Sequence, residues 1–341
     1  MKTVCRRFAV CVLILFGVVI LAGCARGPLA SWSENAPAKV ALVEYVTSVT
    51  DKSSPDFIPV EDRIAVFDFD GTLFLETDPT SFDWQLFEHR VLEDPSYKAT
   101  DEQLAAARAS RKGKFPKLDK NRERMVAEAY RGMTLDEFYA FIRNFMTTDQ
   151  PGFNDLKRGD AYYKPMLEVI DFLRRNDFTV YVISGTERYT MRPLTAILRL
   201  PPAQIIGSDN TLAASGQGGK DGLDYVFVKG DKVLLGGENI VKNLQMNKVS
   251  IIVREIGIQP VLAFGNTMSD ASMLNYTISG NKYKALGFML LCDDLVREYG
   301  NAKKADAMRQ NCKKYGWIPV SMRDDWKTIY GDGVTRKGTG K

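Results

Sequence analysis

One histidine, His89, serves the whole 341-residue chain. That scarcity excludes a histidine-based catalytic triad and any metal centre built from several imidazoles. A metal bound here has to be held mainly by oxygen, which favours a hard cation such as Mg²⁺. Cysteine is sparse too, with five residues: Cys5, Cys11, Cys24, Cys292 and Cys312. The most apolar run, residues 8–21, is too short to span a bilayer comfortably. Surplus charge is also missing. Setting aside Lys2, Arg6 and Arg7 of the N-terminal leader leaves 43 of the 46 basic residues against 42 acidic ones. A near-neutral chain gives no support for nucleic-acid binding. The full chain, 45% hydrophobic and 26% charged, has globular composition and is long enough for one large domain with an insertion or for two domains.

The leader has the order of an export signal: a positive start, the apolar run, then Leu21-Ala22-Gly23-Cys24. The LAGC sequence resembles the lipobox of bacterial lipoproteins. That resemblance implies cleavage before Cys24, lipid on Cys24 and anchoring in the cell envelope, on the periplasmic face and at the outer membrane where there are two. Several buried acyl chains anchor stably, at about 0.8 kcal/mol per CH₂. Cys292 and Cys312 would then share an oxidising compartment, as a disulfide or, the reading preferred here, as two free thiols.

The expected organisation is a leader (1–23), a tether (24–36), a core in two pieces (37–79 and 159–330), an inserted helical segment (80–158) and a disordered tail (331–341). Residues 64–67 read as a short buried strand. The insertion's clearest helix opens with a capping box, Thr134 and Glu137. From Pro165 helices and strands alternate, with strands expected at 178–183, 204–207, 261–264, 284–291 and 317–321. The glycine-rich stretch 210–237, around Tyr225-Val226-Phe227-Val228, reads as a hairpin or flap. Alternation of this kind predicts an α/β fold: a Rossmann-like parallel sheet with helices on both faces. Ligands of such sheets bind beyond the C-terminal strand ends. Asp68, Ser184 and Asn266 all follow predicted strands.

In an extended chain Asp68 and Asp70 point the same way. Two acids this close resist double ionisation unless a cation lies between them or one keeps a proton. Asp68 can then serve as a nucleophile on phosphorus and Asp70 as the acid and base. Gly71 permits the turn and Thr72 can hold it. Ser184 and Gly185 offer a hydroxyl and backbone N–H groups to a phosphate. Lys248, at the start of an amphipathic helix, can neutralise charge on the phosphoryl group. Asn266 and Asp270 can hold a metal. Asp-x-Asp-Gly also opens calcium loops, but the closing Glu and a preceding helix are missing.

DFDGT, ISGT, a helix-opening lysine and GNTMSD, in this order, resemble the haloacid dehalogenase superfamily of phosphohydrolases, and within it the phosphoserine-phosphatase-like branch with a helical cap between the first two motifs. The resemblance implies a Mg²⁺-dependent phosphatase for a small phosphomonoester. Asp68 is the implied nucleophile and Asp70 the acid/base. Ser184, Gly185, Lys248 and Thr72 would bind phosphate, and Asp68, the Asp70 carbonyl, Asn266 and Asp270 the metal. Glu76 and Arg188 are candidate substrate contacts. The family's fourth motif usually begins with Asp, and here it is Asn266. A phosphomutase and a phosphate- or metabolite-binding lipoprotein without turnover are the alternatives.

Overall fold

The computed structural model describes residues 29–76 and 80–338. The leader, Cys24 and the first part of the expected tether lie outside the described residues. Residues 29–36 correct that expectation, because they are docked on the fold. Trp32 is 1% exposed, donates from its ring N–H to the Pro165 carbonyl (3.0 Å) and meets Trp326 edge to face. Ser31 adds two hydrogen bonds to the Glu168 carboxylate. Helix α1 (Pro37–Thr50) follows and buries Leu42, Tyr45, Val46 and Val49, while Val40, at the same helical spacing, stays exposed. Among the described residues no helix is long and apolar enough to cross a membrane.

Strand β1 (Ile64–Phe67) has no polar face. Ala65 and Phe67 join one apolar cluster, Ile64 and Val66 the other. A strand buried on both sides belongs in the middle of a covered sheet. Helices α2 (Phe82–Leu92), α3 (Asp101–Ser110), α4 (Lys120–Glu128) and α5 (Leu135–Met146) fill the insertion. The expected capping box opens α5: Thr134 Oγ1 accepts from the Glu137 N–H, and the Glu137 carboxylate accepts from the Thr134 N–H. Phe138, Ile142 and Phe145 form its buried stripe.

A short β2 (Phe153–Asn154) leads back to the core, which continues with α6 (Lys164–Arg175), β3 (Thr179–Glu187), α7 (Arg188–Leu194), β4 (Ile205–Ala214), β5 (Val233–Val241), α8 (Met246–Glu255), β6 (Leu262–Gly265), α9 (Ala271–Ile278), β7 (Leu286–Leu291), α10 (Ala302–Tyr315), β8 (Ile318–Ser321) and β9 (Thr335–Arg336). The main sheet has the order β5-β4-β3-β1-β6-β7-β8, parallel except for the antiparallel β4–β5 pair. Phe67, Phe264 and Phe288 stack across its centre, with ring centroids 4.4 and 4.9 Å apart. The two thiols, Cys292 and buried Cys312, are free.

Three local expectations change. The hairpin is built from β4 and β5, while Val226, Phe227 and Val228 lie exposed in its connecting loop. β3 runs on through Ser184-Gly185-Thr186 to Glu187, with an irregular register against β4 between Ile183 and Glu187. Ser184 therefore lies within the strand's irregular end. The tail is not without structure, since Thr335–Arg336 pairs with Phe153–Asn154; residues 339–341 lie outside the described residues.

The hairpin also grips the cap. The Gly132 N–H donates to the Leu235 carbonyl and the Leu235 N–H to the Met133 carbonyl, both at 2.9 Å. Lys242 pairs with Glu123 of α4 at 2.9 Å.

Candidate active site

Strands β3, β1 and β6 are neighbours, and their register sets Phe67 beside Val182 and Phe264. Asp68, the Ile183-Ser184 pair and the Gly265-Asn266 pair therefore emerge together at one rim. The Asp68 N–H donates to the Phe264 carbonyl at 2.9 Å, extending the ladder one residue past β1. The Asp68 carboxylate is thereby fixed near the sheet's midline, 6% exposed.

Lys248 reaches it from α8. Its ammonium is fully buried and uses its three hydrogens on Asp68 Oδ1 (2.5 Å), Asp270 Oδ1 (2.6 Å) and the Ile183 carbonyl (2.7 Å). One lysine thus joins the first, second and fourth motifs. The start of α8 is pinned for this purpose. Gln245 lies in left-handed backbone space (φ 54°), and its N–H donates to the Ser269 carbonyl at 2.9 Å. Such strain costs on the order of 1–3 kcal/mol and persists where neighbours fix it.

The electrostatics follow from burial. Burial pushes Asp68 up to about 7, Asp270's charge pushes the same way, and Lys248 opposes them. Burial also lowers Lys248, but Asp270 and Asp68 outweigh it and hold the ammonium above its ordinary range. Asp70 is raised well above a normal carboxylate by burial and then by Asp83. The Thr186 hydroxyl donates to Asp70 Oδ2 at 2.6 Å, whereas Asp70 Oδ1 is buried with no hydrogen-bond partner among the described residues. A carboxyl that favours its protonated form is suited to give a proton to a leaving oxygen.

Residues 65–275 match the haloacid dehalogenase-like hydrolase family. The chain belongs to that family. No curated protein matches it. Among solved structures, a conserved protein of unknown function from Anaerococcus prevotii DSM 20548 is similar over 85% of this chain and 92% of its own, at 13% identity and a TM-score of 0.51. That likeness supports the fold. Others include a protein of unknown function from Bordetella pertussis Tohama I (13% identity, 76% of this chain, 97% of the other, TM-score 0.49) and a cytosolic 5'-nucleotidase IIIB bound to cytidine (13%, 85%, 87%, 0.49).

The rest of the expected site falls into place unevenly in this hydrolase. Thr72 is fully buried and its hydroxyl lies 3.4 Å from Asp68 Oδ2. Ser184 is 1% exposed, its Oγ accepting from the Thr186 N–H at 3.1 Å. A Cβ on Gly185 would lie 2.5 Å from Leu244 Cδ2, so a side chain there would require Leu244 to move. Asp270 Oδ1 accepts from Lys248 and its Oδ2 from the N–H groups of Asn266 (3.0 Å) and Thr267 (3.1 Å), so both oxygens already have protein partners that fix the lysine and the loop. Arg188 is not free to meet substrate, since it is paired with Asp209 (3.0 Å) and Glu255 (2.8 Å). Glu76, pushed up to about 7 by burial and then by Asp68, accepts from Asn266 at 2.7 Å.

Two contributors were not singled out from sequence. Thr186 stands in the ISGT motif, and its hydroxyl could have been assigned there. Asn243 carried no signal. It is fully buried and its amide N–H₂ holds the Ser184 carbonyl at 3.1 Å.

The family implies Mg²⁺, and the donors present fit it. Among the described residues no three histidine, cysteine or carboxylate side chains converge into a ready-made cage. The available set is mixed: the Asp68 carboxylate, the Asp70 carbonyl and the Asn266 amide. Burial and then neighbouring acids raise the proton affinity of Asp68, Asp70 and Glu76. Among the described residues Lys248 pairs with only Asp68 and Asp270, and Asp70 keeps an oxygen with no hydrogen-bond partner. A hard divalent cation answers that excess of negative charge.

Proposed function

We propose that the protein is a Mg²⁺-dependent phosphatase of the phosphoserine-phosphatase-like branch. It hydrolyses a small phosphomonoester through an aspartyl-phosphate on Asp68. The observation that carries this reading is Lys248, bonded at once to Asp68 and Asp270, with Asp70 beside it in a state that favours the proton. An Asp68 oxygen attacks phosphorus and the ester P–O bond breaks. Asp70 gives its proton to the departing oxygen. Water then attacks the phosphorus of the acyl phosphate, Asp70 takes a proton back, and phosphate leaves with Asp68 restored. Lys248 and the backbone at Gly185 offset charge on the phosphoryl oxygens. Bound Mg²⁺, held by Asp68, the Asp70 carbonyl and Asn266, supplies further charge neutralisation.

A cavity of about 710 Å³ opens beside Gly71, Glu76 and Asn266. Phe115 of the cap, Tyr163, Met268 and Lys304 are among its lining. Its size suits a metabolite-sized leaving group. Hydrolysis of p-nitrophenyl phosphate that chelation abolishes and Mg²⁺ restores is the expected result. No turnover on a broad phosphomonoester panel favours a binding protein, the reading to which Asn266 points.

Thr186→Val removes the donor that holds Asp70 and opposes its raised pKa. Turnover is expected to fall about 10-fold. The alkaline limb of the kcat–pH profile should move upward, because the general acid then keeps its proton to higher pH. An unmoved limb would assign the proton to another group.

The LAGC sequence supports export and lipid anchoring at Cys24, with the enzyme on the periplasmic face of the envelope. Mass spectrometry of the mature N-terminus checks this. A chain that starts elsewhere, or carries no lipid on Cys24, sinks it.

A further inference from the structure

The fourth motif opens with an amide where the family's usual residue is an acid, and in the structure a carboxyl group from the first-motif loop lies against that amide. Asn266 Nδ2 donates to Glu76 Oε2 at 2.7 Å. The contact is formed over Gly71. A Cβ on Gly71 would lie 1.7 Å from Asn266 Nδ2 and 2.6 Å from Glu76 Oε2, and the glycine has a φ of +73°. Any side chain at 71 would break the pair. The first-motif loop is thus shaped to let residues 190 positions apart meet directly.

The chemistry of the pair is directional. When ionised, Glu76 can only accept, so the amide presents nitrogen to it, which leaves the Asn266 oxygen for another partner. An aspartate at 266 would instead set two like charges at hydrogen-bond distance. The neutral amide at 266 and the acid at 76 are matched.

We propose that Glu76 is a positioning residue of the metal site: it orients the Asn266 amide so that its oxygen is offered to a divalent cation, and it supplies from one hydrogen bond away the negative charge that residue 266 lacks. This replaces the expectation that Glu76 contacts the substrate. It rests on the Mg²⁺-dependent reading above. Partners that orient a ligand in this way typically change metal affinity about 10–100-fold.

The test is a charge swap read by metal binding, not by turnover. Mg²⁺ titrated into the full-length protein by calorimetry, and Mn²⁺ followed by paramagnetic resonance, give the affinities. Glu76→Gln keeps an acceptor for Asn266 but removes the charge, and about 10-fold weaker binding or more is expected. Glu76→Ala removes both and should weaken binding further. Asn266→Asp alone should not tighten binding, because the new acid faces Glu76. Combined with Glu76→Gln it should return affinity to within about 3-fold of the parent, in line with full recovery of one charge. Circular dichroism confirms that each variant is folded, and the near-isosteric Glu76→Gln and Asn266→Asp keep the test usable if Glu76→Ala is not. Two results overturn the proposal: Glu76→Gln binding like the parent, or a double variant no better than Glu76→Gln. A parent protein that binds neither cation overturns it together with the metal-dependent reading, whereas loss of the pairing effect alone leaves that reading standing.

Discussion

Asp68→Asn is expected to fold and to turn over p-nitrophenyl phosphate at least about 10⁴-fold more slowly than the parent, the scale of loss when a covalent nucleophile is removed. The amide is nearly isosteric, and its oxygen can still accept from Lys248, so the Lys248–Asp270 pair and the Ile183 contact survive. Stability should respond in the opposite sense to activity. Burial holds Asp68 near 7, well above an unfolded aspartate. Between about pH 4 and 7 the folded state therefore binds more protons than the unfolded one, and this group's contribution to stability declines as pH rises through that window. The amide that replaces it does not titrate. The variant's stability relative to the parent should improve from pH 5 to pH 7 and level off above, as measured by urea unfolding at each pH. Residual turnover within 10-fold of the parent would place the nucleophile elsewhere.

Lys248→Met should damage both fold and catalysis. Methionine fills much of the lysine's volume but leaves Asp68 Oδ1, Asp270 Oδ1 and the Ile183 carbonyl without their donor, all in a buried setting. Breaking a buried ion pair from one side costs about 3–5 kcal/mol. Loss of charge stabilisation at the phosphoryl group should lower kcat by about 10²–10³-fold. The stability deficit has a pH signature. Lys248 has a raised pKa, so its own contribution is fully present throughout pH 5–8 and produces no slope there. Asp68 does produce one. Without the lysine its pKa rises further, so the deficit should be largest near pH 8 and shrink towards pH 5, where the acid is protonated. A variant as stable as the parent at pH 8 would show that the buried lysine is not what makes the paired acids tolerable.

Much of this site is local in sequence and could be read there. Ile64-Ala65-Val66-Phe67 followed by Asp68 and Asp70 is a strand with its chemistry at the end. Lys248 stands out in sequence because it starts an amphipathic helix, whereas the nearby Lys242 proves to be paired with Glu123 of the cap. What escaped depends on distant partners. Nothing in ARGPLASWSENA indicates that Trp32 packs on Trp326, almost the whole chain away. The Arg188 charge is satisfied by Asp209 and Glu255, from two other elements. The hairpin strands carry Asp209, Asn210, Gly236, Gly237 and Asn239, residues of low strand preference held by edge pairing and by the cap. Asp270 reads from sequence as a metal ligand, and its three hydrogen bonds to Lys248, Asn266 and Thr267 appear only in the fold.

The grip of the β4–β5 hairpin on the cap bears on how molecules come and go. A lid hinged only at its two chain connections could swing wide on each turnover. Here the far side is stitched by two main-chain hydrogen bonds and an ion pair, so a full swing would have to break all three. Traffic then favours the opposite flank, where the cavity beside Glu76 and Asn266 already lies open. If the enzyme is the proposed phosphatase, the residues of that doorway, Phe115 of the cap among them, are the ones to alter when a different ester is to be admitted.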